Sequence, residues 1–189
     1  MFTIPCVIFA GGKSSRMKED KTLLPFASYP TLTEYQYRRL SKLFQTVYIS
    51  CKDPKKFSFE ANYIVDDDPE LYAPTAGFIA TFKTIKDDRF FALSVDAPFI
   101  DKKTILQIIN EDTNVVDATI AKTNEGIQPL CGIYHRSLND QFCTMQKENT
   151  HKLGYLLKNA TTHYSFFHDT KPFLNMNHPE DYKKALSLI

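Results

Sequence analysis

The chain has 189 residues, of which 23 are basic and 22 acidic, so its formal net charge at pH 7 is only +1. This balance gives no excess of positive charge that would favour nucleic acid or an acidic membrane surface as a partner. Hydrophobic residues make up 43% and aromatic residues 13% of the chain, which is typical of a globular protein and excludes a disordered or fibrous one. The length suits one domain, and we expect residues 1–189 to form it.

The amino-terminal segment and the cysteines indicate the expected location. The first residues carry no cluster of positive charge, and no apolar run reaches the roughly 20 residues that cross a bilayer. The four cysteines (Cys6, Cys51, Cys131 and Cys143) have no C-x-x-C spacing, so buried free thiols explain them better than disulfides or a zinc site. The five histidines include no pair at metal-ligand spacing. We therefore expect a cytoplasmic protein that binds neither membrane nor nucleic acid.

Strand and helix patterns alternate along the chain. Unbroken apolar runs predict strands buried on both faces at 4–10 and 89–95. Apolar residues at helical spacing predict a helix at 32–44, with Thr33 either capping it or lying in its first turn. The remaining patterns predict strands at 46–51, 62–65, 115–121, 129–135 and 163–167, and helices at 75–86, 101–111, 137–147, 150–159 and 179–188. This alternation predicts an α/β fold, a three-layer α/β/α sandwich around a mostly parallel sheet.

A glycine pair and a cluster of cations follow the first predicted strand, in the stretch VIFAGGKSSRMKEDK at 7–21. In an open α/β sheet, the loop after the first strand commonly holds phosphates, and glycines let backbone N–H groups approach an anion closely. The spacing fits neither the Walker pattern nor the dinucleotide fingerprint. This stretch contains four basic residues, which are Lys13, Arg16, Lys18 and Lys21. They outnumber its two acidic residues by two charges. We interpret the loop as a cradle for a polyphosphate, with a solvated surface turn as the alternative.

Carboxylates follow two of the predicted strands. Asp96 leaves the strand at 89–95 shortly before Pro98, and its hard oxygen ligands suit Mg²⁺, which completes its coordination with water and substrate phosphates. The alternative role for Asp96 is to cap the next helix. Asp66 ends the strand at 62–65, whereas Asp67 and Asp68 are better explained as a solvated turn.

Five stretches, in order between Val7 and Tyr182, resemble the motifs of the molybdenum cofactor guanylyltransferases. These stretches are FAGGKSSRMKEDK, APTAG with the preceding Asp66, VDAPF, GIQPLCGIYHR and FLNMNHPEDY. The resemblance implies a Rossmann-like mixed sheet of the nucleotide-diphospho-sugar transferase type. The chain departs from the family pattern at Lys18 and Ala73, which replace glycines, and at Ser50, which replaces an asparagine that helps to recognise the base.

The resemblance also implies roles for individual residues. The implied nucleotide-binding residues are Phe9, Ala10, Gly11, Gly12, Lys13, Lys21, Ser50, Asp66 and Asp96. Arg16, Lys21 and Asp96 are implied to act in catalysis, with Asp96 as the ligand of Mg²⁺. Asn175 and Asn177 are implied to contact the pterin substrate, and their alternation along an extended segment places both amides on one side. An Asx-turn before the last helix is the alternative explanation for these asparagines.

The activity that the resemblance implies is the transfer of GMP from magnesium-bound GTP to the molybdopterin of the molybdenum cofactor, with release of pyrophosphate. Because the attacking phosphate is already ionised, catalysis would depend mainly on positioning and charge neutralisation. The product would pass to molybdoenzyme chaperones or molybdopterin-insertion proteins. The open alternatives are a nucleotidyltransferase for another base or acceptor (the cytidylyl version, or a sugar phosphate), a noncatalytic pterin-binding homologue, and a glycosyltransferase with a D-x-D motif at 66–68.

Overall fold

A computed structural model describes residues 1–12, 17, 19–66 and 73–189. The strands are β1 (Cys6–Phe9), β2 (Val47–Cys51), β3 (Asn62–Val65), β4 (Arg89–Ser94), β5 (Ala118–Thr123), β6 (Gly126–His135) and β7 (Thr162–Phe166). The helices are α1 (Leu32–Leu40), α2 (Pro74–Thr84), α3 (Lys102–Glu111), α4 (Asn139–Lys147), α5 (Leu153–Asn159) and α6 (Pro179–Leu186). None of the helices in the described ranges is long and apolar enough to cross a membrane.

The seven strands form one mixed sheet in the order β3-β2-β1-β4-β6-β5-β7. Every neighbouring pair is parallel except the two pairs that contain β6, which runs antiparallel to β4 and to β5. Phe9 at the end of β1 lies level with Ser50 of β2 and Ser94 of β4. The carboxyl ends of β1, β2, β3 and β4 therefore open along one edge of the sheet, as the sequence predicts.

Apolar side chains pack on both faces of the sheet. Because successive strand residues face opposite sides, Cys6 and Ile8 of β1 join the cluster beneath α1 and α3. Val7 and Phe9 join the opposite cluster, beneath α2, α4 and α5. This arrangement confirms the predicted three-layer α/β/α sandwich. The described cysteines are free thiols, as predicted, and burial raises the pKa of the Cys51 thiol to about 11.

The hairpin of β5 and β6 differs from the prediction. The strand expected at 115–121 begins only at Ala118, and Val115 is 84% exposed because nothing packs against it. The turn consists of residues 124 and 125 alone, since Thr123 already pairs with Gly126 across the hairpin. Gly126 has a φ of +134°, a conformation that side chains with a Cβ rarely adopt. This tight turn keeps residues 122–123 and 126–128, which lie between the two predicted strands, inside the sheet.

The first helix also has different boundaries. Its capping residue is Thr31, whose Oγ1 accepts a hydrogen bond from the backbone N–H of Glu34 at 3.1 Å. Thr33 lies in the first turn, which was the second of the two predicted positions. The helix ends at Leu40 rather than 44, where the chain turns so that Phe44 can pair with Phe2 beside β1.

Candidate functional site

A cavity of about 190 Å³ lies at the carboxyl edge of the sheet. This is the edge at which open α/β sheets bind ligands. The predicted nucleotide-binding residues that line the cavity are Phe9, Gly11, Gly12, Lys21, Ser50, Asp66 and Asp96. Ala10 is buried beside the cavity, and its N–H donates to the Ser50 carbonyl at 2.8 Å. Lys13 and Arg16 lie outside the described residues.

Lys21 and Asp96, 75 positions apart in the sequence, form an ion pair at one end of this cavity. Only 17% of the Lys21 side chain and 10% of the Asp96 side chain are exposed. The fold thus brings the cationic loop and the carboxylate after β4 together at the sheet edge. Asp96 does not cap the next helix, because that role belongs to Asp101, whose carboxylate accepts from the N–H of Thr104 at 2.7 Å.

The short 3₁₀ helix that carries Lys21 is held at its start by Asp20. The Asp20 carboxylate accepts hydrogen bonds from the N–H and hydroxyl of Thr22 at 3.0 and 2.7 Å, and pairs with Lys56 at 2.8 Å. Burial raises the pKa of Asp20, but the hydrogen bonds from Lys56 and Thr22 outweigh this effect and hold the pKa below its usual value. Asp20 therefore stays ionised and fixes the backbone beside Lys21.

Helix α1 supports both halves of the Lys21–Asp96 pair with polar side chains on its buried face. The Thr33 hydroxyl donates to the Thr22 carbonyl at 2.8 Å, and Gln36 Nε2 donates to the Val95 carbonyl at 3.0 Å. Arg39 Nη1 donates to the Ile100 carbonyl at 2.6 Å. Sequence reasoning missed these contacts. The available signal was three polar residues at helical spacing on a face that amphipathicity assigns to the core.

A second lysine–aspartate pair lies toward β3. Asp66 directly follows β3, and its Oδ1 lies 2.5 Å from Nζ of Lys52, which follows β2. The exposed fractions of the two side chains are only 13% for Lys52 and 6% for Asp66. Sequence reasoning missed Lys52, although its place just beyond a strand at the ligand-binding edge was a usable signal.

Helix α2 approaches this part of the cavity closely. A Cβ on Gly77 would lie 2.9 Å from Ser50 Oγ and 3.1 Å from the Phe9 ring, so a larger residue here would have to displace these side chains. The first turn of α2 lines the cavity through Ala73 and Pro74, and Ala73 makes no side-chain cap. The N-terminal amides of α2 therefore add partial positive charge to the cavity wall.

A second cavity of about 320 Å³ adjoins the first, and Asp96 lines both. Its polar wall includes Gln128 and Asn175, whose side chains approach to 3.5 Å. The N–H of Met176 donates to the Asp96 carbonyl at 3.0 Å, which draws the asparagine segment toward the ion pair.

Asn175 and Asn177 both line a third, larger opening of about 820 Å³, so the two asparagines share one side of their segment. The backbone N–H groups of Asn177 and His178 donate to Asp181 Oδ2 at 3.1 and 2.9 Å. The start of α6 is thus held by Asp181, and the asparagine side chains are not needed to cap it.

Within the described ranges, no cluster of three or more His, Cys, Asp or Glu side chains could by itself hold a metal ion. A single carboxylate at the cavity wall nevertheless fits a magnesium-type ion, which takes most of its ligands from water and substrate phosphates. Asp96, at the wall common to both cavities, is the residue suited to that role.

A mixed sheet covered by helices, with glycines, lysines and carboxylates at the carboxyl ends of its strands, is typical of an α/β protein that binds a phosphorylated ligand at this edge. The solved structure of molybdopterin-guanine dinucleotide biosynthesis protein A from Archaeoglobus fulgidus has this fold, with a TM-score of 0.84, 22% identity and 98% coverage of both chains. Residues 6–163 match the MobA-like NTP transferase domain. The chain belongs to this family, which confirms the resemblance found in the sequence.

Two curated relatives extend the match over nearly the whole chain. The molybdenum cofactor guanylyltransferase of Campylobacter jejuni subsp. doylei is 36% identical over 183 residues, which cover 96% of this chain and 95% of the relative. The molybdenum cofactor guanylyltransferase of Helicobacter pylori is 33% identical over 191 residues, which cover 98% and 90% of the two chains.

Proposed function

We propose that this chain is a molybdenum cofactor guanylyltransferase, which transfers GMP from GTP to the terminal phosphate of molybdopterin carrying molybdenum. An oxygen of that phosphate forms a bond to the α phosphorus of GTP, and the bond from this phosphorus to the bridging oxygen breaks to release pyrophosphate. The observation that carries the proposal is the position of Asp96 in the wall common to two adjoining cavities, with Lys21 paired to it. Relatives of this name with more than 30% identity support the same activity.

The first cavity would hold the nucleotide. The backbone N–H groups at Gly11 and Gly12 and the ammonium of Lys21 suit the β and γ phosphates, because they supply donors and positive charge. The roles of Lys13 and Arg16 in contacting the same phosphates stay predictions. Asp66, at the other end of the cavity, suits the nucleoside.

The second and third cavities would hold the pterin. Asn175 and Gln128 line both openings, and Asn177 lines the third. Amide side chains offer both donors and acceptors, which matches the mixed hydrogen-bonding edge of a pterin.

Catalysis in this arrangement depends on positioning and charge. Because the acceptor phosphate is already ionised, no side chain needs to remove a proton, and holding the two substrates together can lower the barrier by roughly 7–11 kcal/mol. A bound Mg²⁺ would neutralise charge on the α phosphate and on the leaving pyrophosphate. Asp96 would hold this ion, and Lys21 would turn from Asp96 toward the phosphates.

The test is acceptor-dependent pyrophosphate release. The purified chain is incubated with Mg²⁺, molybdopterin carrying molybdenum, and GTP, CTP or ATP in parallel. We expect rapid release with GTP only, together with the guanine dinucleotide product. Binding of Mn²⁺ in the presence of GTP, followed by electron paramagnetic resonance, should weaken in Asp96→Asn. Preference for CTP, or pterin binding with no pyrophosphate release, would contradict the proposal.

The continuity of one sheet from Cys6 to Phe166 supports residues 1–189 acting as a single domain. The cytoplasmic location and the delivery of product to molybdoenzyme chaperones or insertion proteins stay predictions.

A further inference from the structure

His151 lies in the wall of the second cavity, on the connection between α4 and α5. The chain leaves α4 through Asn149, whose φ of +52° is a left-handed conformation that asparagine tolerates better than most residues. The N–H of Thr150 then donates to the Met145 carbonyl at 2.9 Å. These local contacts fix the course of the backbone just before His151.

The two ring nitrogens of His151 have different surroundings. Nδ1 lies 2.8 Å from the hydroxyl of Thr75, which is fully buried in the first turn of α2. Nε2 lies 2.9 Å from Asn149 Oδ1, and this contact is exposed. Because the amide oxygen of Asn149 is an acceptor, Nε2 carries a hydrogen and the Thr75 hydroxyl donates to Nδ1. The contact with Thr75 therefore orients the ring and leaves the Nε2–H donor on its exposed side.

The walls of the second cavity carry few groups that attract an anion. Of the described residues that line it, His151 alone can take a positive charge, and Asp96 is negative. Gln128, Asn175 and Ser94 supply neutral polar groups. A phosphate that enters this cavity needs hydrogen-bond donors, and the imidazole of His151 offers one from a ring that is already held in place.

The contact with Thr75 also indicates which side of the second cavity His151 occupies. Thr75 directly follows Pro74, which lines both the first and the second cavity. Gln128 and Asn175, by contrast, line the second cavity and the third opening. The terminal phosphate of the acceptor must reach the α phosphorus of GTP, so it would lie on the nucleotide side, with the pterin ring toward the amides. His151 is therefore on the side suited to the phosphate.

We propose that His151 is a substrate-binding residue whose Nε2–H donates to the terminal phosphate of the pterin acceptor, in place of its contact with Asn149. Thr75 acts as a positioning residue, because its hydroxyl holds the ring during this exchange. The inference rests on the proposed function and names a group that holds the attacking phosphate. The exchange is favourable, since an exposed hydrogen bond to a neutral amide is replaced by one to a charged acceptor.

The test compares two ligands that differ only in the terminal phosphate. They are the fluorescent pterin obtained by oxidising molybdopterin, and the same pterin after a phosphatase has removed its phosphate. Fluorescence anisotropy measures Kd for both ligands with the wild type, with His151→Asn and with the control His163→Asn, which replaces an exposed histidine on the edge strand β7. Asparagine keeps a polar group near the position of Nδ1 but does not reach that of Nε2.

Loss of a hydrogen bond to a charged group should weaken binding of the phosphorylated pterin by about 10- to 100-fold in His151→Asn. Binding of the dephosphorylated pterin should change by less than about threefold, and His163→Asn should bind both ligands like the wild type. In GMP transfer, His151→Asn should raise KM for the acceptor and leave KM for GTP unchanged.

Two further variants separate phosphate binding from a structural role. His151→Gln places an amide nitrogen near the position of Nε2, so it should retain more of the preference for the phosphorylated pterin than His151→Asn does. This variant also serves if His151→Asn does not fold. Thr75→Val keeps the shape of the side chain and removes the hydroxyl, so it should weaken binding of the phosphorylated pterin by about 2- to 10-fold.

Three results would overturn the inference. These are equal affinity of the wild type for the two pterins, equal weakening for both in His151→Asn, or an unchanged preference for the phosphorylated pterin in that variant. A His151→Gln variant that binds as weakly as His151→Asn would contradict the assignment to Nε2.

Failure of the proposed function gives a different result. A wild type that prefers the phosphorylated pterin but releases no pyrophosphate from GTP would contradict the proposed function and leave the phosphate contact in place. A wild type that transfers GMP, together with a His151→Asn variant that keeps the preference, would remove only the role of His151.

Discussion

Asp96 is the residue at which segments distant in the sequence converge. Its carboxylate pairs with Lys21, its carbonyl accepts from the N–H of Met176, and the preceding carbonyl, that of Val95, accepts from Gln36. A segment held by one side-chain contact and two backbone contacts loses little further freedom when a ligand binds, which is the property expected of a preorganised site. The geometry around Asp96 is therefore expected to affect the binding of both proposed substrates, GTP and molybdopterin.

The role of Lys21 can be tested directly. In Lys21→Met the phosphates lose a positively charged donor, and we expect GMP transfer to fall by about 10²- to 10³-fold, as when one preorganised donor is removed from an active site. The control is Lys42→Met, which removes an exposed lysine just after α1. Steady-state kinetics and the thermal midpoint of unfolding are measured for both. A Lys21→Met enzyme as active as the control would show that Lys21 serves only to balance Asp96.

At the level of elements, α1 connects the two halves of the site. Its first turn reaches the segment of Lys21 through Thr33, and its middle and last turn reach the segment of Asp96 through Gln36 and Arg39. All three donate to backbone carbonyls, so they fix the course of the chain rather than touching a ligand. We regard Gln36 as a positioning residue, because it is fully buried and holds the carbonyl next to Asp96.

Replacing Gln36 with methionine keeps the length of the side chain and removes its donor. We expect the free energy of unfolding to fall by about 1–3 kcal/mol, since the Val95 carbonyl loses a buried partner. We also expect kcat to fall with little change in KM for GTP, because misplacement of Asp96 affects the transition state more than ground-state binding. The control is Gln45→Met at an exposed position. A stability loss with kcat unchanged would mean that Gln36 is purely structural.

Considered as a whole, the molecule has a polar cluster at the opposite edge of the sheet from the cavities. Asp112, whose side chain is 1% exposed, pairs with Arg89 and accepts hydrogen bonds from Thr119 at 2.6 Å and His135 at 3.0 Å. Burial raises the pKa of Asp112, but the hydrogen bonds from His135 and Thr119 and the charge of Arg89 outweigh it and leave the pKa below its usual value. This cluster joins α3 to three strands and bears on stability, not on chemistry.

The lowered pKa of Asp112 predicts how stability depends on pH. A carboxyl group whose pKa is lower in the folded chain stabilises it fully above the unfolded pKa of about 3.9, and this contribution is lost as the pH falls through the folded value. Asp112→Asn should therefore show a shallower loss of stability below about pH 4 than the wild type. Urea unfolding between pH 3 and 7 measures this, with the exposed Asp87→Asn as control. Parallel curves for Asp112→Asn and the wild type would contradict the expectation.

Much of the fold and part of the site follow from the sequence because they depend on local patterns. The apolar runs before Gly11 and Asp96 predict strands whose carboxyl ends meet at one edge, and the topology of α/β sheets then brings Lys21 to Asp96. The start of β5 was predicted too early because the strand propensity of Val115 is not matched by burial, its side chain being largely exposed. The sequence marks the positions of Gln36 and Lys52 but not their partners, since these partners lie in other segments and are set by tertiary packing.

The central claim is that one nucleotide lies along the sheet edge, with its phosphates at Lys21 and Asp96 and its nucleoside toward Asp66. A crystal structure of the protein with GTP and Mg²⁺ tests this claim most directly. We predict the metal ion on Asp96, Lys21 on the phosphates, and the nucleoside directed toward Asp66. Triphosphate density away from Asp96, or a base directed away from Asp66, would contradict it.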